Sequence, residues 1–235
     1  MKKIQDRVFK VASMLVVLCG VCLYGCDLDN YDAPNATLTG QLIDAETNEP
    51  MPTQIPNGAR IRIYEFYKDE WSLQPYDFWV KQDGSFENRS AFAGKYRITA
   101  EGAFAAFEPI ETDISGTTEL DIRVTPHLRL SVDAVAGTGG EVTLSTQLSR
   151  SANAPKIRTI SFMCGKTPYV DKNTFAKKSD VDVNSVSDNE IVSKTYSATL
   201  TGLAPNTTYY VRVGALADNA GSHYNYSKIL EVKLP

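Results

Sequence analysis

Cysteine, histidine and tryptophan are scarce in this chain, and each scarcity narrows what it can be. Of its four cysteines, Cys19, Cys22 and Cys26 fall near the N-terminus, and Cys164 stands alone in the rest. A lone thiol forms no intramolecular disulfide. The two histidines, His127 and His223, are far apart in sequence and make no Cys/His cluster with zinc spacing. Neither His-Glu-x-x-His nor Gly-x-Ser-x-Gly occurs. Acids are plentiful, but nothing singles out a pair for glycoside hydrolysis. Helix signals are nearly missing after the first 25 residues. No later apolar run approaches the roughly 20 residues of a membrane-spanning helix. We therefore expect no enzyme, no metal site and no cofactor.

The N-terminus carries a strong pattern. Lys2, Lys3, Arg7 and Lys10 precede an apolar run from Val11 to Cys26, the layout of a secretory signal. Leu23-Tyr24-Gly25-Cys26 resembles a bacterial lipobox, which implies cleavage before Cys26 and its acylation. Two or more acyl chains give stable membrane attachment. The alternative is an ordinary signal peptide with an incidental cysteine. Asp27, Asp29 and Asp32 follow at once. They resemble the acidic export signal of Bacteroidetes surface lipoproteins, which implies the outer face of the outer membrane, lipid-anchored. The other reading is a solvated polar tether.

Taking the leader's four basic residues and one acid from totals of 24 Lys+Arg and 28 Asp+Glu leaves a net charge of −7. So acidic a chain is a poor partner for nucleic acid. Gly, Pro, Asn and Asp recur between short alternating runs, which argues an all-β protein of two tandem β-sandwich domains after a signal peptide. The expected layout is 1–25 leader, 26–36 acidic tether, 37–126 first sandwich and 127–235 second sandwich, with Pro126 at the seam. A tether of about ten residues reaches at most ~35 Å, so the first sandwich is expected close to the membrane.

In the first block Tyr96, Ile98 and Ala100 share one strand face, and Arg97 and Thr99 the other. Leu38-Thr39-Gly40-Gln41-Leu42, the turn Asp83-Gly84-Ser85-Phe86 and Gly94-Lys95-Tyr96 resemble the transthyretin or carboxypeptidase-regulatory sandwich. In the second block Leu128 to Ala134, Val142 to Leu148, Ile157 to Cys164 and Tyr196 to Thr201 read as strands, and 165–190 as polar and irregular. Cys164 reads as a core thiol. Leu200 to Val213 resembles the E–F corner of a fibronectin type III domain, with Tyr209 as the corner tyrosine. Val211, Val213 and Ala215 are expected to point inward, Tyr210 and Arg212 outward. The whole order resembles an uncharacterised two-domain lipoprotein family of Bacteroidetes, often encoded beside Sus-type glycan importers. That resemblance implies an accessory role in polysaccharide uptake, with importer proteins and a polysaccharide or oligosaccharide as partners.

Seven aromatics crowd the sixteen positions from Tyr64 to Trp79, including both tryptophans. Sugar rings have apolar faces that stack on aromatic planes, and hydroxyls that need polar partners; Asp69, Glu70, Gln74 and Asp77 stand nearby. Strict alternation puts Ile61 and Ile63 on one face of a strand and Tyr64 and Phe66 on the other, exposed one. Tyr67, Trp71, Tyr76 and Trp79 are the candidate ligand-binding residues, and Trp71, Tyr76 and Trp79 read as the most loop-like. The competing reading has these rings cover a sandwich end or the domain interface, in a spacer or fimbria-like assembly protein. A second candidate is the 218–226 loop, with His223 and Tyr224 placed to meet a partner. Asp180-Val181-Asp182-Val183-Asn184 starts like a calcium loop, but Ser185 and Ile191 stand where its glycine and glutamate belong.

Overall fold

The computed structural model describes residues 32–235; Cys26 and the leader lie outside them. From Pro34 to the C-terminus the chain is one compact unit. It is nearly all β, with four sheets stacked as two sandwiches.

The first sandwich holds β1 (Ala36–Asp44), β2 (Arg60–Tyr67), β3 (Glu70–Trp71), β4 (Tyr76–Trp79), β5 (Ser85–Ala91), β6 (Gly94–Glu101), β7 (Ile110–Ile114), β8 (Thr117–Glu119) and β9 (Ile122–Val124). In one sheet β1 is central, antiparallel to β5 and parallel to β8 and then β9. In the other, β2 lies between β6, which also pairs β7, and a return strand broken into β3 and β4. Leu38, Leu42, Ile61, Ile63, Phe86, Ile98 and Ile122 fill the space between. Their period-2 spacing is why these runs form half-buried strands. Gly84 turns the Asp83-Gly84 corner at φ +87, and Gly40 leaves room for the Leu120 carbonyl, which a Cβ would meet at 1.9 Å.

The second sandwich holds β10 (Leu128–Leu130), β11 (Asp133–Gly137), β12 (Glu141–Arg150), β13 (Ile157–Gly165), β14 (Lys177–Asp182), α1 (Asp188–Val192), β15 (Thr195–Leu200), β16 (Thr208–Ala217), β17 (Tyr224–Tyr226) and β18 (Leu230–Lys233). One sheet places β12 between β15 and the pair β10 and β11. The other runs β14-β13-β16, with β17 and β18 both along β16. Val142, Leu144, Ile160, Phe162, Val211 and Val213 form the core, with Cys164 among them. Burial pushes the Cys164 thiol up against the pull of Lys177. Tyr209 makes its corner: its hydroxyl accepts from the Ala204 N–H at 3.0 Å.

Two sequence expectations are corrected. Residues 165–190 are not irregular throughout: they include β14 and the start of α1. Strand β14 is an edge strand, KKSDVD, largely solvent-facing, so it lacks the apolar alternation that betrays a strand. Helix α1 begins at Ser187, whose Oγ accepts from the Glu190 N–H, and Ile191 anchors it. Arg212 does not point to solvent but is fully buried. The face of β13 and β16 that it shares with Met163 is covered by Val170 and Tyr226, so this sheet is buried on both sides.

The seam at Pro126 is stitched rather than loose. Phe104 and Pro126 form a β-bridge. Asn225 donates to the Ala103 carbonyl at 2.8 Å and accepts from the Leu128 N–H at 3.1 Å. The Tyr226 hydroxyl donates to Gln54 Oε1 at 2.5 Å. Arg129 Nη2 donates to Asp44 Oδ1 at 2.8 Å, and its Nε reaches the other oxygen.

Burial opposes the charge on Asp44, but the Arg129 hydrogen bonds, the backbone N–H groups of Glu46 and Thr47, and the Arg129 charge outweigh it and hold the carboxyl below its ordinary value. A depressed folded-state pKa stabilises the fold above the unfolded value of about 3.9, and the gain is lost as pH falls through the folded pKa. Asp44→Asn is therefore expected to cost about 3 kcal/mol at pH 7. In urea unfolding series, the gap to the parent should close below about pH 4.

Candidate functional site

The aromatic segment builds one broad face of the first sandwich. Strand β2 turns at Lys68 and Asp69, both at positive φ, into β3. Phe66 then pairs with Trp71 and Tyr67 with Glu70. Ser72 continues the ladder, its N–H donating to the Glu65 carbonyl at 2.8 Å. The chain then bulges through Leu73 and Pro75 and rejoins β2 as β4, with Ile63 opposite Tyr76 and Arg60 opposite Trp79. The tryptophans thus lie on strands and not in a loop, because the chain resumes pairing with β2 after the 73–75 bulge, offset by an even number of residues that keeps the side-chain parity.

Alternation fixes which side each ring takes. With Ile61 and Ile63 buried, Arg60, Arg62, Tyr64 and Phe66 point outward, as do their partners Trp79, Asp77 and Trp71. Across β2, strand β6 adds Lys95, Arg97, Thr99 and Glu101, and β7 adds Glu111. The four candidate residues are therefore divided. Trp71 and Trp79 share the outer face, half-exposed, while Tyr67 and Tyr76 have the opposite parity and project past the core, 66% and 65% exposed. The partners of the two tryptophans, Arg60 and Phe66, stand six residue steps apart on β2, about 20 Å along the strand.

The outer face is laced with ion pairs, and Asp113, opposite Lys95, completes its four acids against four cations. Arg60 bonds Asp77 at 2.7 Å and also Glu101, and Arg62 bonds Glu101 at 2.8 Å, so each acid is shared by both arginines or nearly so. Toward the other end, Arg97 and Lys95 both bond Glu111, at 2.9 and 3.1 Å. Hydrogen bonds from Arg97 and then Lys95 hold the Glu111 carboxyl below its usual range. Cations also lie over the rings: Arg97 is 4.2 Å and Lys95 5.5 Å from the Trp71 centroid, and Arg60 is 5.5 Å from that of Trp79. Phe66 packs tilted against Trp71 at 4.9 Å. The result is a sheet face where apolar rings alternate with fixed donors and acceptors. The cations of β6 were signalled in the sequence by the parity of Arg97 and Thr99, but not their approach to Trp71.

The second candidate loop turns toward the first domain. His223 Nδ1 lies 3.0 Å from the Asn57 carbonyl, and Tyr224 stacks on Tyr226 at 6.0 Å. Asp180 pairs with Lys178 on β14, and Asp182 accepts from the Asn184 N–H. Among the described residues, no group of three or more His, Cys, Asp or Glu is placed to hold a metal.

Comparisons with known proteins follow this architecture. Residues 36–125 match the family model described as "Protein of unknown function (DUF3823) N-terminal domain", and residues 128–231 that described as "Domain of unknown function (DUF3823_C)". A DUF3823 family protein from Bacteroides uniformis superposes with TM-score 0.76 at 22% identity, covering 86% of this chain and all of its own. A second Bacteroides uniformis protein, named a "putative carbohydrate binding protein", gives TM-score 0.69 at 21% identity with the same coverage. A DUF3823 family protein from Parabacteroides merdae gives 0.69 at 23%, again covering 86% and 100%. These likenesses show a shared fold. No curated protein is similar enough to this chain to be matched.

If Arg97 and Trp71 hold one another, their effects on stability are not additive. A double-mutant cycle with Arg97→Ala and Trp71→Ala, read by urea unfolding, is expected to give a coupling of about 0.5–1 kcal/mol.

Proposed function

The chain belongs to the DUF3823 family, both of whose domains it carries, and we propose from there that it is a non-enzymatic, lipid-anchored glycan-binding protein of the outer-membrane surface, accessory to a Sus-type importer. The observation that carries the reading is the outer face of the β3/β4-β2-β6-β7 sheet. There Trp71, beside Phe66, and Trp79, about 20 Å apart along the strand, flank Arg62 and Tyr64, with arginine, lysine and carboxylate groups between them. That spacing suits an extended oligosaccharide rather than one sugar. The rings take the apolar sugar faces, and the charged groups take the hydroxyls. The name of the second Bacteroides uniformis protein supports the same class of ligand. The lipobox-like Cys26 and the acids after it support anchoring at the surface.

One observation favours a second reading, a spacer that contacts envelope proteins. Arg97 already occupies one side of the Trp71 ring, so that ring stacks partly within its own sheet.

Affinity electrophoresis in polysaccharide gels separates the two. Glycan binding predicts that the parent is retarded in at least one gel and that Trp71→Ala and Trp79→Ala each weaken retention about tenfold, ~1.4 kcal/mol. Retention that is unchanged in both variants removes the face from consideration; capture of importer subunits by a parent that no gel retards selects the spacer. For the anchor, Cys26→Ser is expected to abolish palmitate labelling and move the protein out of the membrane fraction. A labelled, membrane-bound variant would assign the attachment elsewhere.

A further inference from the structure

Beside the junction contacts, a groove of about 790 Å³ runs between the two sandwiches. Pro50, Pro52 and Ile55 line it from the first domain, and Tyr169, Arg212 and Ile229 from the second. We propose that this groove binds an acidic saccharide, a uronic acid unit whose carboxylate is held by Arg212 and whose apolar ring face lies on Tyr169 and the proline wall.

Three observations carry it. First, Arg212 is a buried cation with an open valence. Its Nε donates to the Ser227 carbonyl at 3.0 Å and its Nη1 to the Val170 carbonyl at 3.5 Å, and its guanidinium lies 4.3 Å from the Tyr226 centroid. Among the described residues its Nη2 has no hydrogen-bond partner and no carboxylate forms an ion pair with it. The buried Asp171 acts on Arg212 through its charge without forming an ion pair, and its Oδ1 accepts from the N–H groups of Asn173 and Thr174. Burial lowers the Arg212 pKa to about 10, so the group is still charged at neutral pH. An unpaired buried charge is costly, and such groups are generally completed by a partner. Second, the rim carries Lys81 and Lys228. Lys228 is paired with Glu49, whereas Lys81 makes no ion pair among the described residues. Asp83, also on the rim, spends its carboxylate on Ser85. Third, the remaining wall is apolar with one open ring, Tyr169, 62% exposed. A volume in this range holds a small ligand, not a protein surface. Gln82, which covers Arg212 by reaching the same Val170 carbonyl through one long 3.5 Å bond, is the side chain that must swing aside.

The test is calorimetric titration of the complete chain with digalacturonate, its neutral counterpart galactobiose, sodium acetate and sodium phosphate. Digalacturonate is expected to bind, galactobiose not to, and acetate to compete only at far higher concentration. Arg212→Met should abolish binding. Because that variant removes a buried group, Tyr169→Ala and Lys81→Ala, both at the groove rim, are read beside it and should each weaken binding about tenfold. Trp71→Ala should leave it unchanged, which separates this groove from the sheet face. Equal binding of galactobiose, acetate as effective as the uronate, phosphate alone, or affinity indifferent to Arg212 and Tyr169 would each overturn the proposal.

Discussion

The carboxamide of Asn225 joins three parts of the molecule that sequence keeps far apart. It is 2% exposed, donates to Ala103 at the end of the first sandwich and accepts from Leu128 at the start of the second. The His127 N–H reaches the same Ala103 carbonyl at 3.0 Å. One buried side chain thus satisfies the Leu128 N–H, which would cost about 1–3 kcal/mol if left unpaired, and gives the Ala103 carbonyl a second donor. The strand that carries it, β17, is three residues long and would be marginal alone. It is held because Tyr226, its next residue, bonds Gln54 and stacks against Arg212. The domains are therefore fixed by side chains from a strand that exists largely to present them.

That constraint explains why Arg212 was misread. In the sequence, Tyr209-Tyr210-Val211-Arg212-Val213 alternates cleanly, and a charged residue on the off-parity face reads as solvent-facing. The rule holds for a sheet with one wet side. Here the off-parity face of β13 and β16 receives β17 on its edge and the 166–175 segment and the first domain across it, so Met163, Ser161 and Arg212 are all fully buried. Nothing local to Arg212 reports a covering layer that arrives from Gln54, about 160 residues earlier. The same non-locality hid β14. Its pairing with β13 is supplied by the neighbour, not by its own polar sequence.

Where only local pattern mattered, the sequence was informative. Ile61 and Ile63 set the parity of β2, and that parity alone puts Tyr64 and Phe66 on the outer face. The Asp83-Gly84 turn, the Tyr209 corner and the buried Cys164 follow from turn chemistry and alternation within a few residues. The aromatic stretch was visible as composition, but its division was not. Whether Trp71 shares a face with Trp79 or with Tyr76 depends on how many residues the 73–75 bulge absorbs. An odd count inverts the side of every following residue and an even count, as here, keeps it. Composition placed four rings in one neighbourhood; register separated them into an outer pair and an edge pair.

The charge balance of the outer face and the imbalance of the groove point to different ligands. On the face, Arg60, Arg62, Lys95 and Arg97 meet Asp77, Glu101 and Glu111 in close pairs, with Asp113 opposite Lys95 as the fourth acid, so a neutral glycan would displace no net charge. In the groove the buried guanidinium lacks such a match, so an anion gains what a neutral ring cannot. Because the junction fixes the two domains through Asn225, Tyr226 and the Arg129–Asp44 pair, the distance between face and groove is set by the fold and not by a flexible linker. A polymer that presents both neutral and acidic units at that spacing would gain from engaging the two together. The second contact is then intramolecular, and its benefit depends on the junction staying closed. Weakening Asp44 or Asn225 would then reduce affinity for a long mixed-charge chain and for short acidic ligands, whose groove both domains line, while leaving short neutral ligands of the sheet face unaffected.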